Sequence, residues 1–433
     1  MAILLKNAQV VTLNDENKVL QNCCVGINGS IIDYIGDETN ELYGKYEKVI
    51  DCKGKTVMPG FVNAHNHAAM TLYRNYADDM KLMDWLFNKI FPLEDRLTED
   101  GAFWASMLAV VEMIKSGTTT FNDMYFFMNK TVEAVGSSGM RAMLSRGLQG
   151  ETGEEDLDYR LSENLELFTN YNNSFDGRIK VALGPHSIYT CSVPYLKKLV
   201  KKSEDMNIPI HIHVSETREE VSNCKEKHGV SPVKLLDGLG MLKKNTVAAH
   251  CVIVDDEDMR ILAERGVNVV HNSGSNLKLA SGIAPVTKML DLGINVCLGT
   301  DGASSNNNLD MLEEIRMATY LQKVSTDDPT ALPVDTVLRM AAANGANALG
   351  FNNLGTVEVG MLADLIIINT EKAQYYPKYN IKSAIVYSGS SSDVETVIIN
   401  GNLVMENRNL ITVDEERVLY KVQRWAEKLT SAL

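Results

Sequence analysis

MPGFVNAHNH, residues 58–67, is the stretch on which the reading of this chain turns. Pro59-Gly60 marks a turn. The run that follows, FVNAH at 61–65, has the length and composition of a strand. It leads into a His-x-His pair, His65 and His67. A strand running through both would point the two imidazoles to the same side, because its period is two. Two imidazoles on one side near one rim make half of a metal site; a surface pair is the alternative reading.

Seven further runs of the same kind follow: TTTFND (118–123), MRAMLSR (140–146), KVALGPH (180–186), IPIHIHV (208–214), TVAAH (246–250), VNVVH (267–271) and INVCLGTD (294–301). Helix-patterned segments such as GAFWASMLAVVEMIKSG and DEDMRILAERG lie between most of them. Eight strands alternating with helices predict an α/β fold, a (β/α)8 TIM-type barrel spanning 59–355. Active sites in such barrels sit at the C-terminal ends of the strands. Here those ends fall at or near His65, Asp123, Arg146, His186, His213, His250, His271 and Asp301, although the chain has only eight histidines.

The flanks read differently. Residues 1–58 and 356–433 carry short β-rich runs separated by Asn, Gly and Asp, such as AILLKNAQVVTL and LADLIIINT. They predict a small β-sandwich domain formed from both chain ends, with a helix at the C-terminus. The 433 residues are 45% hydrophobic and 23% charged, an ordinary globular composition. A net charge of -14 with no basic stretch argues against nucleic acid as a partner. No run is long enough to span a bilayer, and the N-terminus reads as a strand rather than a signal peptide. The seven cysteines form no C-x-x-C pair, which disfavours a disulfide framework and a thiolate metal site and fits a reducing cytoplasm. Oligomeric state is left open, a homo-oligomer included.

Any metal must then be held by His and carboxylate. HIHVSE places His211 and His213 in alternation; His213 is the better ligand, lying nearer the rim and three residues before Glu216. LGTDGASS ends the last strand on Asp301, which a helix cap or turn would also explain. His65, His67, His213 and Asp301 would hold Zn²⁺ and leave a position for water; Fe²⁺ or Mn²⁺ also suits three nitrogens and one oxygen.

With PGFVNAHNH, HIHVSET, AAHCV, HNSGSNLKLASG, LGTDGASSNNNLDM and GTVEVGMLADLIIIN in this order, the chain resembles the amidohydrolase superfamily over nearly its whole length. The resemblance is specifically to the branch of 5-methylthioadenosine/S-adenosylhomocysteine deaminases. One departure is Ser273, where relatives commonly carry Pro. The resemblance implies one zinc per chain, since the fourth strand begins at Lys180 and ends on His186. It implies hydrolytic deamination at C6 of the adenine ring of a small purine nucleoside: methylthioadenosine, S-adenosylhomocysteine or adenosine. Glu216 would carry the proton to N1, Asp301 would take one from water, and His250 would orient the water and stabilise the intermediate. Glu94 would accept the two ribose hydroxyls, with Asp95 and Glu99 as rivals. His186 would touch the purine, and Trp85 and Ser305 would line the pocket. Arg146 would meet an amino-acid carboxylate, with Arg160 as its rival and a structural ion pair as the alternative. His271 with Asn272 reads as a rim hydrogen-bonding pair, and His228 as solvated. Guanine or cytosine deaminases and triazine hydrolases would share the metal machinery, but a free base has no diol for Glu94. A non-catalytic scaffold of the same fold would need no stoichiometric metal.

Overall fold

The computed structural model describes residues 2–150 and 158–430. All eight predicted runs form strands, and they pair in parallel. Phe61–Asn66, Thr118–Tyr125, Arg141–Leu148, Ile179–Val181 and Gly184–Pro185 make a five-stranded sheet. Ile210–Val214, Thr246–His250, Asn268–His271 and Asn295–Leu298 make a four-stranded one. Almost every strand residue is buried, as expected where helices cover a parallel sheet.

The fourth run is not continuous, which corrects the single strand expected over 180–186. Ala182 still donates to Leu144 O (3.0 Å), but Leu183 donates to Pro209 O (2.8 Å). Beyond it the chain stays beside Arg141–Leu148, with His186 N donating to Leu148 O (2.9 Å), while Leu183 bridges in parallel to Ile210 of the other sheet. At the opposite edges, Asp301 N, three residues past the strand Asn295–Leu298, donates to His65 O (3.0 Å).

Local chemistry sets the helix ends. Glu99–Ser116 starts at Thr98, whose hydroxyl accepts from Gly101 N, and stops at Gly117 with φ 91°. Asp256–Arg265 opens with a capping box between Asp255 and Asp258. Ser273 is the first residue of the helix Ser273–Lys278, a position that proline could also fill.

Both chain ends contribute to one nine-stranded sheet. Lys55–Pro59 pairs antiparallel with Leu365–Asn369, so the stretch leading into the first parallel strand is stitched to the C-terminal part. Arg141 and Asp364 link this sheet to the parallel strands by two hydrogen bonds of 2.9 and 3.0 Å, both side chains 1% exposed. The C-terminal helix Glu415–Thr430 is tied to Glu99–Ser116 through Lys115–Glu415 and Trp425–Asp100. All seven cysteines are free and buried. Among the described residues, no helix is long and apolar enough to cross a membrane.

Candidate active site

The expected ligands converge. His65 Nε2 lies 3.3 Å and His67 Nε2 3.2 Å from Asp301 Oδ1, and His67 Nε2 lies 3.2 Å from His213 Nε2. His67 does not reach the cluster by strand alternation: the strand stops at Asn66, and His67 precedes a 3-10 turn over Ala68–Tyr73. The other ring nitrogens fix the tautomers. His67 Nδ1 sits 2.6 Å from Met124 O and His213 Nδ1 2.7 Å from His186 O. A carbonyl only accepts, so both Nδ1 atoms carry a proton, and in the neutral rings both Nε2 atoms present lone pairs. In that state the two lone pairs repel unless a proton or a metal ion lies between them. Zinc–nitrogen bonds in a tetrahedron would set ligand atoms about 3.3 Å apart, close to these spacings. His65 Nε2 is itself buried without a hydrogen-bond partner among the described residues. The donor set therefore fits a divalent metal.

Asp301 is held from several sides. Gly302 N donates to Oδ1 (2.8 Å), while Ser275 (2.6 Å) and Ser305 (2.9 Å) donate to Oδ2. Burial alone would raise its carboxyl, but His65 and His67 outweigh that and hold it well below the usual range. Ser215, His250 and Asp301, each just past or at a strand end, have φ of 52, 73 and 61°. Left-handed backbone at three non-glycine residues of one site is strain that the surrounding packing must impose.

Beside this cluster, Glu216 Oε2 lies 3.9 Å from His250 Nε2. His250 Nδ1 bonds Asn276 Oδ1 at 2.9 Å, which leaves Nε2 facing the site. Burial raises the Glu216 carboxyl above its ordinary value, the direction needed by a group that donates a proton near neutrality. His211 is the buried layer beneath, its Nε2 2.7 Å from His65 Nδ1.

A cavity opens over the cluster. Trp85, Glu94, His186 and Ser305 line it. Trp85 is also a packed helix aromatic whose Nε1 donates to Ala77 O. The Tyr125 hydroxyl donates to Glu94, and burial pushes the Glu94 carboxyl up to about 7. Asp95 lies only in the neighbouring cavity. His186 is held at about 3 by burial and is therefore neutral, with its Nδ1 near the Ser187 and Thr190 hydroxyls.

Arg146 is not in this cavity. It lines an adjoining one that shares Phe91, Glu94, Phe126 and Gln149 with it, and Arg160 lines the same space. Arg146 pairs with Glu163 (2.6 Å) and stacks 4.8 Å over Phe126; Arg160 bonds Gln149 O (3.2 Å). The rim pair expected of His271 and Asn272 is not formed: both His271 ring nitrogens are buried without partners among the described residues, and Asn272 instead approaches His250. His228 ends the helix Arg218–His228 and is half-buried.

Four residues of the site went unread in the sequence. Tyr125 lies two positions past Asp123 on a strand that runs further than TTTFND suggests, so parity would have found it. Ser275 and Asn276 sit in HNSGSN, and one short helix delivers them to Asp301 and His250. Glu220 accepts from the backbone of Ser215 and Glu216.

The model of the amidohydrolase family matches residues 56–404. A 5-methylthioadenosine/S-adenosylhomocysteine deaminase of Thermoanaerobacter pseudethanolicus is 47% identical over 99% of this chain and 99% of its own. A crystal structure of an adenosine deaminase from Xanthomonas campestris with bound zinc superposes with a TM-score of 0.94, at 31% identity over 99% of this chain and 98% of that one. The zinc complex of an atrazine chlorohydrolase from Arthrobacter aurescens shares the fold, with a TM-score of 0.91 at 23% identity, covering 98% of this chain and 100% of that one.

Proposed function

The chain belongs to the amidohydrolase family, and from that premise we propose that it is a metal-dependent hydrolytic deaminase of adenosine thioethers. It converts the 6-amino group of 5'-methylthioadenosine or S-adenosylhomocysteine to the inosine analogue and releases ammonia. The carrying observation is one cavity lined by His67, His213, Asp301, Glu216, His250 and Glu94, with His65 buried behind it within 3.3 Å of Asp301. The name borne by the relative of 47% identity supports the choice of substrate.

His65, His67, His213 and Asp301 would hold one Zn²⁺, which, when bound, supplies Lewis acidity and makes water a competent nucleophile at neutral pH. Asp301, its Oδ2 fixed by Ser275 and Ser305, takes a proton from the attacking water. Glu216 donates a proton to N1 as C6 becomes tetrahedral, so negative charge does not build on the ring. His250 Nε2 hydrogen-bonds the incoming oxygen and holds it against C6. Asp301 then gives its proton to the amino group, which leaves as ammonia, while the C6 hydroxyl loses its proton to Glu216 and becomes the carbonyl. Glu94, as carboxylate, accepts both ribose hydroxyls, and His186 and Trp85 flank the purine. Arg146, with Arg160 beside it, awaits the amino-acid carboxylate of S-adenosylhomocysteine in the adjoining cavity.

In architecture, the hydrogen bonds at both pairs of sheet edges support a closed (β/α)8 barrel over 59–355. The nine-stranded sheet supports a small β-sandwich domain formed from 1–58 and 356–433.

The test is ammonia release from zinc-loaded protein with S-adenosylhomocysteine, methylthioadenosine, adenosine, guanine and cytosine side by side. Turnover of the first two above the rest is expected. Turnover confined to a free base would overturn the assignment of Glu94 and of the substrate.

A further inference from the structure

The turn that carries Glu216 is strained and short. The strand Ile210–Val214 ends, Ser215 takes φ 52°, and Glu216 follows directly before Thr217, the cap of the helix Arg218–His228. Thr-x-x-Glu at 217–220 has the sequence of a capping box. The Thr217 hydroxyl does accept from Glu220 N (3.1 Å). In an ordinary box the glutamate would return that bond to the backbone of the cap itself. Here its two carboxylate oxygens reach further back: Oε1 accepts from Ser215 N (3.0 Å) and Oε2 from Glu216 N (2.7 Å). A bidentate carboxylate on two consecutive amides is a clamp on that peptide, and the charge makes both bonds strong.

The clamp is costly where it stands. Glu220 is buried, and burial together with the nearby Glu216 pushes its carboxyl up to about 7. Helix capping alone does not require a buried carboxylate, since the Thr217 hydroxyl already serves it. The Ser215 carbonyl is fixed as well, accepting from Val252 N (3.1 Å) and Ile253 N (2.9 Å) just beyond His250. The peptide is thus held from both its donor and its acceptor sides, and the second hold ties it to the loop that follows His250.

Resting on the deaminase reading above, we propose that Glu220 is a positioning residue for Glu216: its carboxylate clamps the Ser215–Glu216 amides and so fixes the aim of the Glu216 side chain at the His250 and Asp301 side of the cavity. It touches neither substrate nor the metal cluster. Its loss acts on the rate of the chemical step and not on binding of the purine or the metal.

The experiment compares Glu220→Gln, Glu220→Asp and Glu216→Gln in the full-length zinc-loaded protein. The readouts are zinc content, kcat and KM for S-adenosylhomocysteine, and hydrogen exchange of the Ser215 and Glu216 amides. Glutamine replaces one acceptor by an amide donor facing an N–H, and aspartate keeps the charge but shortens the reach. Both are expected to keep one zinc per chain, to lose about tenfold or more in kcat with KM within about threefold, and to exchange the two amides at least about tenfold faster, the loss expected for broken amide bonds at a strained turn. Wild-type kcat in either folded variant, while Glu216→Gln is inactive, would overturn the positioning role and leave the deaminase reading intact. Full activity of Glu216→Gln would overturn that reading and this inference with it. Should Glu220→Gln fail to fold, Glu220→Asp decides alone by the same values.

Discussion

Glu94→Gln is expected to make the protein more stable and less able to bind its substrate. Burial raises the Glu94 carboxyl from 4.5 to about 7 in the folded protein. The folded state therefore binds that proton more tightly than the unfolded chain. The carboxyl costs nothing below about pH 4.5, and its cost grows as pH rises and is complete above about pH 7. Linkage with these values gives a cost of about 3 kcal/mol at pH 8 and about 1.4 kcal/mol at pH 5.5. Glu94 is only half-buried, so solvent trims the difference between the two to about 1–2 kcal/mol. Glutamine keeps an acceptor for the Tyr125 hydroxyl and carries no charge. Urea unfolding of both proteins at the two pH values isolates the effect, because packing changes cancel between them. Glu94→Gln should gain about 1–2 kcal/mol on going from pH 5.5 to pH 8. The same substitution removes a charged acceptor from the ribose diol, worth about 1.5–3 kcal/mol, or about 10–100-fold in KM for S-adenosylhomocysteine. A stability difference independent of pH would refute the reasoning about burial, and an unchanged KM would refute the role assigned to Glu94.

Asp364→Ala strands the buried Arg141 guanidinium and leaves Asn400 N without its acceptor; urea unfolding should show a loss of about 3–5 kcal/mol, and a loss below about 1 kcal/mol would contradict the pair's importance. Ser275→Ala together with Ser305→Ala frees Asp301 Oδ2, and competition with a chelator should show metal affinity about 10–100-fold weaker; unchanged affinity would exclude their supporting role. Glu216→Gln should keep its zinc and lose about 10²–10⁴-fold in kcat, the contribution of a positioned proton carrier; normal turnover would remove Glu216 from the mechanism.

The fold was legible because its strands are short, apolar and punctuated, and because histidines mark so many of their ends. His213 and Asp301 could be chosen as ligands from their place at a rim, and both lie in the cluster. His67 reached the same place by a different route, through a turn rather than strand alternation, which periodicity cannot distinguish. The break at Ala182–Leu183 was invisible because it is an interruption of the ladder with Arg141–Leu148, which the residues of the run do not mark. Arg146 was found at the right strand, yet its side chain turns to Glu163 and the adjoining cavity, a choice made by the helix Tyr159–Tyr171 that follows the strand. His271 satisfied the same strand-end pattern as His250, but its ring nitrogens find no partner among the described residues, so the pattern locates a rim without assigning work to each residue on it. Ser275, Asn276 and Glu220 act through hydrogen bonds to other site residues, and such support leaves no periodic mark in a sequence.

The central claim is that one metal ion held by His65, His67, His213 and Asp301 enables removal of the purine amino group. The most direct measurement adds zinc stepwise to metal-free protein while following ammonia release from S-adenosylhomocysteine. The account predicts no activity at the start, a linear rise, and a plateau at one equivalent of zinc per chain. Full activity without metal, or a plateau at two equivalents, would contradict it.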